Sequence, residues 1–97
     1  LSYNQIYDVG DLVINHRRQI HKVTKITYTN AGSYSWYTYH AERLVDGRGN
    51  LIKNRPADEA TDYRSKKLDA EAIEQMYKET IDKAAKLREF LLKELQK

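Results

Sequence analysis

Cysteine is absent from the 97 residues, and proline, tryptophan and phenylalanine each occur once. Without cysteine the chain has no disulfide staple and no thiolate metal site, and it fits a reducing, cytoplasmic setting. Its three histidines, His16, His21 and His40, show neither an H-x-H nor an H-x3-H spacing, so no metal site is read from them. No apolar run approaches the roughly 20 residues of a bilayer-spanning helix, and no membrane role is expected. The sequence also lacks a P-loop, a nucleophile elbow and a glycine-framed pair of acids, so neither catalysis nor a cofactor is expected. The first residue is Leu1 rather than Met, as in a processed or trimmed chain.

What is there is polar and tyrosine-rich. Charged residues make up 32%, mean hydropathy is −0.83, and eight tyrosines stand against the one tryptophan. Ninety-seven residues suit one domain with a small core. Net charge is +3, unevenly spread: residues 1–55 carry eight basic and four acidic side chains, residues 56–97 nine and ten. The first half therefore leans cationic, which suits nucleic acid or an acidic protein as partner.

The first half also reads as strands. "VGDLVIN" (9–15) is aliphatic and β-branched, and "NHRR" follows as a polar turn. "RQIHKVTKITYTN" (18–30) has strand composition, but Ile20, Val23 and Ile26 recur at steps of three, which predicts a long strand with a bulge or bend. "SYSWYTYHAERLV" (33–45) follows the turn Asn30-Ala31-Gly32. "DGRGN" (46–50) is a tight turn before "NLIKN", in which Asp46 reads as a turn former rather than a catalytic acid. Five short strands in about 55 residues predict a small, strongly bent barrel.

The order of these signals resembles the SH3-like small-barrel families, among them KOW, Tudor-like and CarD-like domains. The resemblance rests on "YDVGDLV" (7–13), "HKVTKI" (21–26) and "LVDGRGNLI" (44–52), and it covers about half the chain. The "NHRRQ" loop carries no glycine of the KOW type. The resemblance implies a barrel that binds nucleic acid or a nucleoprotein machine such as a polymerase or ribosome.

Pro56 closes the barrel segment, and "PADEATDY" (56–63) reads as a short helical turn. Asp69 is the expected N-cap of a helix, with Leu68 and Ile73 placed as a hydrophobic staple. Ile73, Tyr77, Ile81, Ala84, Leu87, Leu91 and Leu95 then form one stripe on a straight amphipathic rod, about 42 Å long. Glu74–Lys78, Glu79–Lys83 and Glu89–Lys93 are the expected ion pairs along it. The expected fold is thus α+β: a five-stranded SH3-like barrel over 1–55, a linker or helical turn over 56–68, and a long C-terminal helix over 69–97. A rod longer than the barrel leaves Leu87, Leu91 and Leu95 without an intrachain partner, which predicts a homodimer or a protein partner there, the rival expectation being a helix that kinks back near Ala84-Ala85.

The candidate binding residues are cationic or aromatic. Arg17, Arg18, Lys22 and Lys25 lie in or near the first loop, and Arg48, Lys53 and Arg55 around the second hairpin. Together they suit phosphates or carboxylates if the two loops share one end. On the aromatic strand, Tyr34, Trp36, Thr38 and His40 share one face, and Ser35, Tyr37, Tyr39 and Ala41 the other. Trp36 is expected in the core, and Tyr34 or Tyr39 on a platform for stacking bases. The competing expectation has the C-terminal helix cover that second face, wholly or at one end.

The expected function is a non-enzymatic module binding nucleic acid or a nucleoprotein through basic loops. One alternative is a phage- or plasmid-encoded assembly subunit that binds protein through the aromatic face and helix. The other is a Tudor-like reader of methylated side chains.

Overall fold

The two runs rich in Ile, Val, Thr and Tyr become the longest strands of the computed structural model, which describes residues 4–55, 59–60, 65–78 and 82–97. In chain order the elements are β1 (Leu12–Ile14), β2 (Ile20–Ala31), β3 (Tyr34–Val45), β4 (Glu59–Ala60), β5 (Lys66–Leu68), α1 (Ala70–Met76) and α2 (Asp82–Leu95). The strands form one antiparallel sheet in the order β4-β3-β2-β1-β5.

The broken periodicity of β2 has the expected cause. Val23 pairs with Ala41 and Lys25 with His40, so Thr24 is an extra residue on one strand. A second irregularity between Ile20 and His21 leaves Leu44 as the extra residue on β3. Ile20 and Lys22 therefore face the helices, whereas Val23 and Ile26 face the opposite side.

Each side of the sheet has its own core. On the helix side, Leu12, Ile20, Leu44, Val45 and Leu68 pack with Ile73, Leu87 and Leu91. On the other side, Val13, Val23 and Tyr39 are covered by Tyr7 from the N-terminal segment. Tyr7 and Tyr39 meet edge to face at 5.0 Å. The Tyr7 hydroxyl donates to the Ser65 carbonyl, and the Ile6 N–H donates to the Tyr39 hydroxyl at 2.8 Å.

Two features correct the expected fold. The first is closure. Among the described residues, edge strands β4 and β5 do not pair with each other, so the sheet is open rather than a closed five-stranded barrel. Strand lengths explain this. β2 and β3 have 12 residues each, but β1, β4 and β5 have only two or three. Such unequal strands do not close a cylinder, and among the described residues the β2–β3 pair continues beyond His40 as a two-stranded ribbon. Only three of the strands lie within residues 1–55; "NLIKN" contributes a single bridge, Val45 to Leu51. At 59–60, where a helical turn was expected, the chain is β4; Pro56 and the rest of that turn lie outside the described residues.

The second correction concerns the rod. Asp69 does cap α1, its side chain accepting from the Ala72 N–H at 2.7 Å, and Leu68 and Ile73 are buried together as a staple would be. But α1 ends at Met76, where Tyr77 leaves helical geometry (φ −115°, ψ 26°), and α2 starts at Asp82. On a straight helix, 14 residues separate Glu74 and Arg88 by about 21 Å. Their side chains instead lie 3.9 Å apart. The chain has turned back on itself.

Burial drives the turn against local propensity, since neither Gly nor Pro interrupts 70–96. A break forfeits a few helical hydrogen bonds at about 1 kcal/mol each. Burying Leu87 and Leu91 returns about 1.5–3 kcal/mol apiece, and Phe90, Leu92 and Leu95 are partly buried beside them. Of the expected helix ion pairs, Glu89–Lys93 forms at 3.2 Å and Glu74 turns to Arg88 instead; Glu79 and Ile81 lie outside the described residues.

Candidate functional site

Two turns of the same design stand at one end of the β2–β3 pair. Asn15 opens the first, and its Oδ1 accepts from the N–H groups of Arg17 and Gln19 at 3.0 Å each. Asp46 opens the second, and its Oδ1 accepts from the N–H groups of Arg48 and Asn50 at 2.9 Å each. The backbone bonds match too. The Arg18 N–H donates to the Asn15 carbonyl and the Gly49 N–H to the Asp46 carbonyl, at 3.0 and 3.1 Å. Asn15 N–H donates to Gln19 C=O, and Asp46 N–H to Asn50 C=O. Each is a tight turn closed by a left-handed residue, a common way to join antiparallel strands.

In the second turn the left-handed residue is Gly49 (φ +82°), which adopts it without steric penalty. In the first it is Arg18 (φ +63°), the one described non-glycine residue with positive φ. An L-residue there costs about 1–2 kcal/mol.

Gly47 brings the turns together. A Cβ at Gly47 would stand 2.7 Å from the Arg17 carbonyl oxygen, so only glycine permits this approach. The two loops of the sequence reading thus share one corner. Arg17, Arg18 and Arg48 are all exposed there, and among the described residues none forms an ion pair. Hydrogen bonds to Asp46, first from the Asn50 N–H and then from that of Arg48, hold its carboxyl below the usual range despite slight desolvation.

A cleft of about 320 Å³ opens between the turns and the end of α1. Arg18 and Arg48 line it from the turns, Met76 and Tyr77 from the helix, and Ile20 and Leu87 from the core. Burial pushes the Tyr77 phenol above its usual range, against the opposing pull of Arg18. The hydroxyl is a neutral donor at physiological pH.

The remaining candidate residues lie elsewhere. Lys22 is bound to Glu94 of α2 at 3.0 Å. Arg55 pairs with Glu42 at 3.2 Å and lies over the Phe90 ring, 5.3 Å from its centroid. Lys25 and Lys53 are exposed and do not line the cleft. Leu87 and Leu91 are buried in the chain's own core and Leu95 is partly buried against it, so the unpartnered stripe behind the dimer expectation does not exist. His21 and His40 fall on opposite faces of the sheet, and among the described residues no cluster that could hold a metal ion forms.

The aromatic strand divides at one end. Tyr39 is core, at 7% exposure, while Trp36 is 39% and Tyr34 55% exposed. The helices cover the Leu44 end of that face and leave the Trp36 end open. Tyr34 stands 11 residues along β3 from Val45, about 36 Å from the twin turns. Basic loops and exposed aromatics are therefore two separate surfaces.

Sequence reasoning missed Met76, Tyr77 and the role of Gly47. Its signal for the corner was present but unused: "NHRRQ" and "DGRGN" each place an arginine two residues after an Asn or Asp. Nothing local marks Tyr77, which reaches the cleft only because the helix stops there.

No protein-family model, curated protein or solved structure matches the chain, so the comparisons bring no support to the small-barrel resemblance. Among the described residues, no helix is long and apolar enough to cross a membrane.

Proposed function

We propose that the chain is a non-enzymatic binding module that holds nucleic acid by its phosphates at the twin-turn corner. The observation that carries this reading is the convergence of Arg17, Arg18 and Arg48 on two turns held in contact at Gly47. Each guanidinium offers a planar fork suited to phosphate oxygens, and none is locked in an ion pair with a described carboxylate, although Asp46 attracts Arg48 within its own turn. The strained backbone at Arg18 points the same way, since a glycine would relieve it and lose the charge. The reading places the chain in the cytoplasm, alone or within a nucleoprotein.

Three phosphate contacts imply a slope of log K against log salt of about −2 to −3. Fluorescence anisotropy with mixed-sequence single and double strands, at several salt concentrations, tests it. Replacing Arg17 and Arg18 together by Ala weakens binding about equally for every sequence and reduces the slope by about 2. Failure of the native chain to bind either form at low salt overturns the reading.

A second reading rests on the exposed ribbon end, where Tyr28, Tyr34 and Trp36 are 54%, 55% and 39% exposed. It makes the chain an assembly subunit docking on protein. Because Tyr28 faces the side opposite Tyr34 and Trp36, the arrangement lends little to a methyl-reading cage.

A further inference from the structure

We infer that the cleft beside the twin turns takes one unpaired nucleotide, so that the corner selects single-stranded over double-stranded nucleic acid. This deepens the proposed function and rests on it.

A phosphate clamp needs no apolar cleft. A duplex offers its phosphates outward and keeps the faces of its bases stacked inside. Three exposed guanidiniums would suffice to hold it. Here, though, two of them border a cleft with an apolar floor. Ile20 and Leu87 are 1% and 5% exposed, and Met76 and Tyr77 are half-buried at the helix side. A duplex backbone has nothing to place against that floor. A single strand has: once unstacked, a base brings a flat apolar face attached to its phosphate, and aromatic side chains receive such faces without regard to sequence.

Size sets the number of rings. Small-ligand sites run from about 300 to 1,000 Å³. At about 320 Å³ the cleft suits one base with its sugar, and not a base pair. Charge sets the polarity. Arg18 and Arg48 take the phosphate at the rim, the floor takes the ring, and Tyr77 offers its neutral hydroxyl as a donor. Arg18 lines this cleft from the strained position of its turn, so one residue joins the phosphate clamp to the ring site.

Anisotropy of the native chain with a mixed-sequence oligonucleotide, single-stranded and annealed to its complement, tests the inference at low salt. The single strand is expected to bind at least about tenfold more tightly. Equal or tighter binding of the duplex overturns the inference and leaves the phosphate-clamp reading standing; no binding to either overturns both. Tyr77→Leu, which keeps apolar bulk but removes ring and hydroxyl, is expected to lower single-strand affinity about five- to hundredfold, the range of a lost stacking contact, with duplex affinity unchanged. Unchanged binding of both forms also overturns the inference. Should Tyr77→Leu fail to fold, the native comparison of the two forms still decides.

Discussion

Arg18 occupies in the first turn the position that Gly49 occupies in the second, and both residues are left-handed, with φ of +63° and +82°. The two turns share every backbone hydrogen bond described above, so the pair is an internal control: one fold element made once with glycine and once with arginine. The arginine version carries strain that the glycine version does not.

That comparison fixes the expected behaviour of Arg18→Gly. Relief of about 1–2 kcal/mol at the left-handed position is offset by roughly 0.5–1 kcal/mol of glycine chain entropy. Urea unfolding should therefore show stability unchanged or raised by up to about 1.5 kcal/mol, while nucleic-acid affinity falls. A loss of more than about 2 kcal/mol would mean that the guanidinium holds the turn, and its strain would then need no functional explanation.

Gly47→Ala examines the contact between the turns. The added methyl meets a backbone oxygen, which cannot swing aside as a side chain can, so one turn must shift. We expect destabilisation of about 1–3 kcal/mol, in the range of overpacking. Binding should weaken even though no charge is lost. Full affinity in a folded Gly47→Ala protein would separate the corner geometry from binding.

Lys22 and Glu94 supply a test by pH. Burial alone would raise the Glu94 carboxyl, but hydrogen bonds from Lys22 and Lys97 outweigh it and hold the group below its ordinary value. A carboxylate depressed in the folded state stabilises the fold above its unfolded pKa, about 4.3. That stability is lost as pH falls through the folded value. Lys22→Met leaves a nearly buried carboxylate with Lys97 alone and should cost about 1–3 kcal/mol at neutral pH. Glu94→Gln should flatten the acid limb of the stability profile. An acid limb identical in native and Glu94→Gln proteins would exclude this pair as its origin.

Trp36 and Tyr39 exchange the roles that composition suggests. With Trp36 at 39% exposure on the open end of its face, Trp36→Ala should cost only about 1 kcal/mol, near the ordinary range for point changes. Tyr39 packs on Tyr7 and accepts from Ile6, so Tyr39→Ala should cost about 3–5 kcal/mol, as for a buried aromatic. Denaturant midpoints of the two variants decide it, and the reverse order would put the indole in the core.

Much of the local architecture was legible before any coordinates. The bulge in β2 showed as apolar steps of three, the Asp69 cap and the Leu68–Ile73 staple as residue types at fixed offsets, and the Asp46 turn as Asp and Gly in "DGRGN". These features depend on hydrogen bonds and sterics within a few residues, and sequence carries them directly. The candidate arginines were legible too, as charges in loops.

Their convergence was not. Whether the turns that carry Arg17 and Arg48 meet depends on β2 and β3 pairing end to end and on a methyl group that Gly47 lacks. The same holds for the open sheet, the reversal after Met76 and the face on which Trp36 falls. Each is a choice among burial partners far apart in the chain. Burial free energy is non-directional and set by area, so the helix stripe alone could not distinguish a neighbouring molecule from the chain's own sheet. Sequence by itself determined the turns, caps and periodicities. Only the tertiary structure decided which apolar faces meet, and through them where the three arginines stand.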